Sequence, residues 1–210
     1  MFGNQAPLYV DACLKEIYPT LKFAATAYLI PKQLFMFPVK LVEFINVHQI
    51  NTICWVVPAL TMISGLGAFE KAVPSSLKTI AFGSEVFPAR QLTLWRKYVP
   101  DARTLICMGP TEATGMSCYY VVDREFKEDE VIPIGRPFPN TGILLLNESG
   151  KEAAQGEKGE ICIRGTAVTM GYYRQPEKTA GILCRIRLMR TIRRLFIRPG
   201  IWVIIMTAEN

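Results

Sequence analysis

Two hydrophobic spacings alternate along the first half of the chain. Between Asp11 and Leu21 the apolar residues Leu14, Ile17, Tyr18 and Leu21 recur at helical intervals, which predicts one face of an amphipathic helix. Pro38–His48 opens on a proline suited to a helix start and puts Leu41, Val42, Phe44 and Ile45 on one side. Pro58–Phe69 and Pro88–Tyr98 read as two further helices. Between them lie short apolar runs, Ala25–Ile30, Thr52–Val57, Thr79–Gly83 and Thr104–Met108, that suit buried strands. Strands alternating with helices of about 10–15 residues predict parallel βαβ packing. Ligands of such sheets bind beyond the carboxyl ends of the strands. Gly83-Ser84-Glu85 and Gly109-Pro110-Thr111-Glu112 both fall there.

From Met116 the pattern changes. Ser117–Asp123, Gly142–Leu146 and Glu160–Arg164 are rich in strand formers, with turn signals at Pro139-Asn140 and Glu148-Ser149-Gly150. The expected fold is therefore α/β: a partial parallel sheet with flanking helices over 1–115, then a smaller, mainly antiparallel β subdomain over 116–179. Residues 180–210 stand apart as a basic tail.

Composition narrows the function. Half the residues are hydrophobic and 20% are charged, a globular balance. No apolar run is long enough to span a bilayer, and the first residues lack the blocks of a secretory signal. Six cysteines (13, 54, 107, 118, 162, 184) form no CxxC pair, so buried reduced thiols in a cytoplasmic protein are expected. A single histidine, His48, makes a zinc site or histidine-based nucleophilic catalysis improbable. The net charge of +6 is concentrated in residues 181–210, which carry +5. That distribution argues against nucleic acid or a membrane surface as partner.

Gly109-Pro110-Thr111-Glu112 holds the most telling chemistry. Glycine lets backbone approach a ligand, and proline stiffens the turn. A threonine hydroxyl can bond a phosphate oxygen, and a carboxylate can hold the accompanying magnesium. An ordinary strand-to-helix turn, capped by Thr111 or Thr114, explains the same four residues locally.

The ordered set of motifs says more. Gly109–Thr114, Gly159-Glu160-Ile161-Cys162-Ile163-Arg164-Gly165 and Gly171-Tyr172-Tyr173-Arg174-Gln175-Pro176-Glu177-Lys178-Thr179 resemble successive core motifs of the amino-acid adenylation domains of peptide synthetases. Val10-Asp11-Ala12-Cys13 resembles an earlier one. Glu16-Ile17-Tyr18-Pro19 and Gly83-Ser84-Glu85-Val86-Phe87-Pro88 resemble the D-alanine–carrier protein ligase branch of this adenylate-forming superfamily. The resemblance implies ATP-dependent activation of an amino acid as its adenylate, with Mg2+, and transfer to the phosphopantetheine thiol of a peptidyl or acyl carrier protein. Position by position, it implies that Asp11 holds the substrate ammonium, a role that the rival N-cap reading does not exclude. It implies a substrate pocket lined by Ala12, Cys54, Ile80, Phe82, Cys107, Gly115 and Met116. Lys15 belongs to that set too, although a solvated helix face explains it equally. Gly83, Ser84, Glu85, Met108, Gly109, Pro110 and Thr111 border the nucleotide; Thr111 touches phosphate and Glu112 serves the metal.

Three pieces that the resemblance implies are not found in these 210 residues: a Ser/Thr/Gly-rich phosphate loop, a Thr-Gly-Asp segment and a lid domain with its lysine. A fragment with little activity alone is expected, or one part of a split synthetase, or a non-catalytic remnant that binds nucleotide or a partner. Resemblance stops after Thr179, and an out-of-frame tail explains why. Codons for Leu195–Asn210 read from their third base permit Ile-Tyr-Lys-Thr-Gly-Asp-Leu-Gly, and the fixed codons of Trp202 and Met206 supply two shifted residues without choice. The coding sequence, read in that frame, is expected to encode Thr-Gly-Asp; if it does not, the tail is a genuine basic segment.

Overall fold

The structure is a computed structural model and describes residues 1–204 apart from Ser84, Arg190, Thr191 and Pro199, with backbone alone between Cys184 and Ile197. Its contacts divide into two units, Met1–Met108 with Cys118–Arg136, and Gly109–Ser117 with Pro137–Asn210.

The first unit alternates strands and helices: β1 (Phe2–Asn4), α1 (Leu14–Lys22), β2 (Ala27–Leu29), α2 (Pro38–Val47), β3 (Thr52–Val56), α3 (Val57–Gly65), β4 (Thr79–Gly83), α4 (Ala89–Tyr98) and β5 (Arg103–Met108). β6 (Cys118–Val121) and the two-residue β7 (Arg136–Pro137) follow, and the sheet order is β2-β1-β3-β4-β5-β6-β7. β1 to β5 pair in parallel and β6 runs antiparallel to β5. Thr52 lies opposite Thr79, and Thr79 opposite Arg103, so β3, β4 and β5 start level and end at one edge.

Three elements differ from the sequence reading. β1 is too short to show a period and was not anticipated. The Ala25–Ile30 run, expected to be a buried strand, shortens to β2 at the sheet edge, where it pairs β1 alone and leaves Leu29 60% exposed. α3 stops at Gly65 rather than Phe69, because Gly67 turns into the left-handed region at φ 67° and a separate 3-10 turn, Ala68–Glu70, follows.

Periodicity explains the core. Leu41, Val42 and Ile45 of α2, Leu60 and Ile63 of α3, and Leu92 and Trp95 of α4 are buried with Ile53, Trp55, Ile80 and Phe82 from the strands. Buried indoles need acceptors, and both find main-chain ones. Trp55 Nε1 donates to the Gly3 carbonyl at 2.7 Å, and Trp95 Nε1 to that of Leu60 at 3.2 Å. The first bond ties the third strand to the first, whose own ladder is short.

In the second unit β8 (Thr141–Leu146) and β9 (Lys158–Gly165) form an antiparallel pair, with Leu145 opposite Ile161. After α5 (Pro176–Ile182) come β10 (Leu183–Met189), β11 (Ile192–Ile197) and β12 (Trp202–Ile204), so the basic tail joins this sheet. β9 pairs β8, β11 and β12, all antiparallel. The buried carboxylate of Glu160 on β9 accepts bonds from Arg198, through Nε at 2.7 Å, and from the Gly200 amide at 3.2 Å. Among the described residues no helix is long and apolar enough to cross a membrane.

Gly83 ends β4 where a Cβ would stand 2.2 Å from the Cys107 carbonyl oxygen on β5. Gly83→Ala must push backbone apart, so we expect a loss of about 1–3 kcal/mol in urea unfolding.

Candidate functional site

In the first unit the sequence-derived candidates gather around the first turn of α1 and the strands beside it. Asp11 opens a 3-10 turn, Asp11–Cys13, that leads into α1. Neither cap position there makes a side-chain capping bond, so the N-cap role considered for Asp11 is not adopted. Asp11 and Ala12 are half-buried, and the Asp11 carboxylate makes no hydrogen bond or ion pair with a described residue. Lys15, also half-buried, sits close enough for its charge to act on Cys54 of β3 and Cys107 of β5. Burial drives both thiols up, Cys107 to about 11, while the Lys15 ammonium pulls each down. Cys54 and Cys107 also raise one another, which makes them near neighbours across β4.

Ile80 and Phe82 of β4 are almost fully buried, with Phe82 against Phe87 at 4.1 Å between ring centroids. Gly83 is buried, Glu85 is exposed and Met108 is half-buried. Ser84 lies outside the described residues.

Sequence reasoning missed Glu16. It follows Lys15 on α1, is 1% exposed, and has Oε1 without a hydrogen-bond partner among the described residues. Asn4 Nδ2 donates to Oε2 at 3.3 Å. Burial raises the Glu16 carboxyl to about 7, against smaller opposing effects of the Asn4 bond and the Lys15 charge. An acid on the apolar face of an amphipathic pattern was the available signal.

In the second unit the Gly109–Glu112 loop is not the expected strand-to-helix turn. A single 3-10 turn, Thr111–Ala113, is followed by Thr114 at φ 54° and Gly115 at φ 86°. A Cβ on Gly109 would lie 2.6 Å from the Ser117 amide nitrogen and 2.7 Å from the Gly115 carbonyl oxygen, so the loop closes tightly upon itself. Thr111 makes no capping bond and is exposed; Pro110, Glu112, Gly115 and Met116 are half-buried. Thr114 Oγ1 donates to the Ala167 carbonyl at 2.7 Å, and the Thr169 amide to that of Glu112 at 2.8 Å.

The Gly171–Thr179 motif meets this loop through Tyr172, whose hydroxyl donates to Glu112 Oε1. Thr179 Oγ1 fixes that tyrosine by accepting from its amide at 2.9 Å, and the Lys178 ammonium lies 4.1 Å over its ring. Gly171, at φ 129°, has no room for a Cβ, which would stand 2.4 Å from Thr179 Cγ2. Two motifs more than fifty residues apart thus converge on one carboxylate.

The AMP-binding enzyme model matches residues 2–173. The chain belongs to that family, one of adenylate-forming ligases. It is 29% identical over 175 residues to the L-proline--[L-prolyl-carrier protein] ligase of Pseudomonas fluorescens, covering 83% of this chain and 35% of the ligase. It is 30% identical over 175 residues to the D-alanine--D-alanyl carrier protein ligase of Bacillus licheniformis, covering 82% and 34%. The chain thus spans about a third of the length of these relatives. Its fold matches PA1221, an NRPS protein containing adenylation and PCP domains, at TM-score 0.81 and 23% identity, over 95% of this chain and 39% of that one. It also matches the NpsA N-terminal subdomain of Klebsiella oxytoca in complex with 3-hydroxybenzoyl-AMSN, at TM-score 0.79 and 19% identity, over 96% and 50%. The parallel-dominated sheet and the small antiparallel one are those of the N-terminal domain of adenylation enzymes.

The Glu16 carboxyl, raised when folded, keeps its proton more tightly in the folded chain than in the unfolded one. Stability is greatest below the unfolded carboxyl's range and falls as pH climbs to about 7, by about 3 kcal/mol in all. Glu16→Gln is expected to flatten that slope in denaturation followed from pH 4 to 8.

Proposed function

We propose that this chain supplies amino-acid and nucleotide contacts to a ligase that makes an aminoacyl adenylate and passes it to a carrier protein. The observation that supports this most is the Glu112 carboxylate, set on a tight glycine–proline loop and oriented by Tyr172.

The chemistry runs in two steps. A substrate carboxylate oxygen attacks the α-phosphorus of ATP, the bond to the bridging oxygen breaks, and pyrophosphate leaves. The sulfur of a carrier-protein phosphopantetheine then attacks the acyl carbon; AMP leaves and the thiol proton goes to solvent. Asp11, whose carboxylate has no partner among the described residues, takes the substrate ammonium, a charge-assisted contact. Ala12, Cys54, Ile80, Phe82, Cys107, Gly115 and Met116 shape the amino-acid pocket. Gly83, Ser84, Glu85, Met108, Gly109 and Pro110 border the nucleotide, and the exposed Thr111 hydroxyl meets phosphate.

Glu112 suits magnesium of the kind that arrives with ATP. Such an ion is held by one or two carboxylates and completes its shell with phosphate oxygens and water. Among the described residues no three acidic, histidine or cysteine side chains cluster to bind a metal alone. When bound, Mg2+ neutralises charge on the phosphates. Tyr172 holds one Glu112 oxygen and thereby fixes the direction of the other.

The test is transplantation. Residues 2–173 replace their counterpart in the Bacillus licheniformis ligase, and ATP–pyrophosphate exchange is measured across a panel of amino acids. At least one amino acid should drive exchange, and Glu112→Ala should lower it by about 100-fold. The separate 1–210 chain should show none. A folded chimera silent toward every amino acid would overturn the proposal.

A further inference from the structure

The first unit carries an open apolar face at the β2 edge of its sheet. β2 pairs with β1 on one side and with no described strand on the other. Beside it a cavity of about 720 Å3 opens between the segment after β1 and that after β2, lined by Leu8, Tyr9, Leu29, Phe35, Met36 and Met62 among others. Lys32 is the one charged residue in that lining. Tyr9 is 90% exposed, Met36 65%, and Leu8 and Leu29 60% each. Phe37 and, on α1, Leu21 and Phe23 are exposed as well.

An apolar surface of this extent marks something that covers it, and a parallel strand is ordinarily buried on both faces. The length comparison says what the cover is. Nearly all of this chain superposes on the NpsA N-terminal subdomain, yet accounts for only 50% of it. An equal length of the same subdomain has no counterpart here and has its own apolar surface to bury. A small ligand could fill the cavity but would leave Phe37 and the flank of α1 in water.

We propose that this face docks a polypeptide carrying the complementary half of an adenylation N-terminal subdomain, which seats apolar side chains in the cavity between Tyr9 and Met36. For the identity of its occupant, the inference rests on the adenylate-forming reading above. Charge plays little part in recognition, so the complex tolerates salt and its formation shows the heat-capacity decrease of apolar burial.

The experiment uses the whole 1–210 chain, co-expressed with a polypeptide holding the residues of the Bacillus licheniformis ligase that lie outside its match to this chain. A one-to-one complex is expected by light scattering. Tyr9→Asp and Leu29→Asp, both at exposed positions, should weaken it at least tenfold, whereas Val131→Asp, at an exposed position elsewhere in the first unit, should leave it unchanged. Urea unfolding of the free variants checks that each still folds. No complex, or one indifferent to Tyr9 and Leu29, overturns the proposal. So does a homodimer of 1–210 that the same two substitutions dissociate, because the face then belongs to a second copy. Exchange by the transplanted chimera is read separately: activity there with no complex here sinks the docking face alone, while a silent chimera with an intact complex sinks the adenylation reading alone.

Discussion

The approach of β4 to β5 at Gly83 sets the carboxyl edge of the first sheet. Level parallel strands can share one edge only if their backbones stay in register to the last residue, and the Cys107 carbonyl occupies the space a side chain would need. Through that contact Gly83 and Met108 end adjacent strands, and the chain passes directly from Met108 into the Gly109–Glu112 loop. The Lys15 charge and the two thiols it influences lie around the same strands. A glycine chosen for packing thus has consequences for chemistry, which is why Gly83-Ser84-Glu85 could be recognised as a motif before any contact was known.

The two units use polar groups differently. In the first, polar atoms inside the core are few and mostly serve main-chain geometry, as with the indoles of Trp55 and Trp95. Glu16 is the exception, a carboxyl that burial keeps largely protonated near neutrality. In the second unit, carboxylates are held by named donors: Glu112 by Tyr172, and Glu160 by Arg198 and the Gly200 amide. Ionised groups there act as joints between segments remote in sequence. Such joints orient a loop more sharply than apolar contact does, since a hydrogen bond has a direction.

Much of this was legible in the sequence, for physical reasons. Helical spacing located α1, α2 and α4 closely because each buries one face. The apolar runs of β3, β4 and β5 read as buried because strands covered on both faces lack alternation. β2 misled for the same reason: its residues look interior, and their exposure follows from position in the sheet, which composition does not encode. The Glu112 loop was legible as chemistry, but its partner Tyr172 was legible only as part of a motif; no local rule links residues sixty apart. Glu16 was overlooked because a single acid within a helix usually faces water.

The Glu160 joint bears on how much of the chain can be dispensed with. Its two donors come from the basic tail, whatever the history of that tail's reading frame. A product cut short before Arg198 keeps the buried acid on the central strand β9 and loses the cation that neutralises it. Such a product would open more often at β9 and present itself to cellular proteases. Selection for abundance can therefore preserve the last residues of a chain even where catalysis makes no use of them.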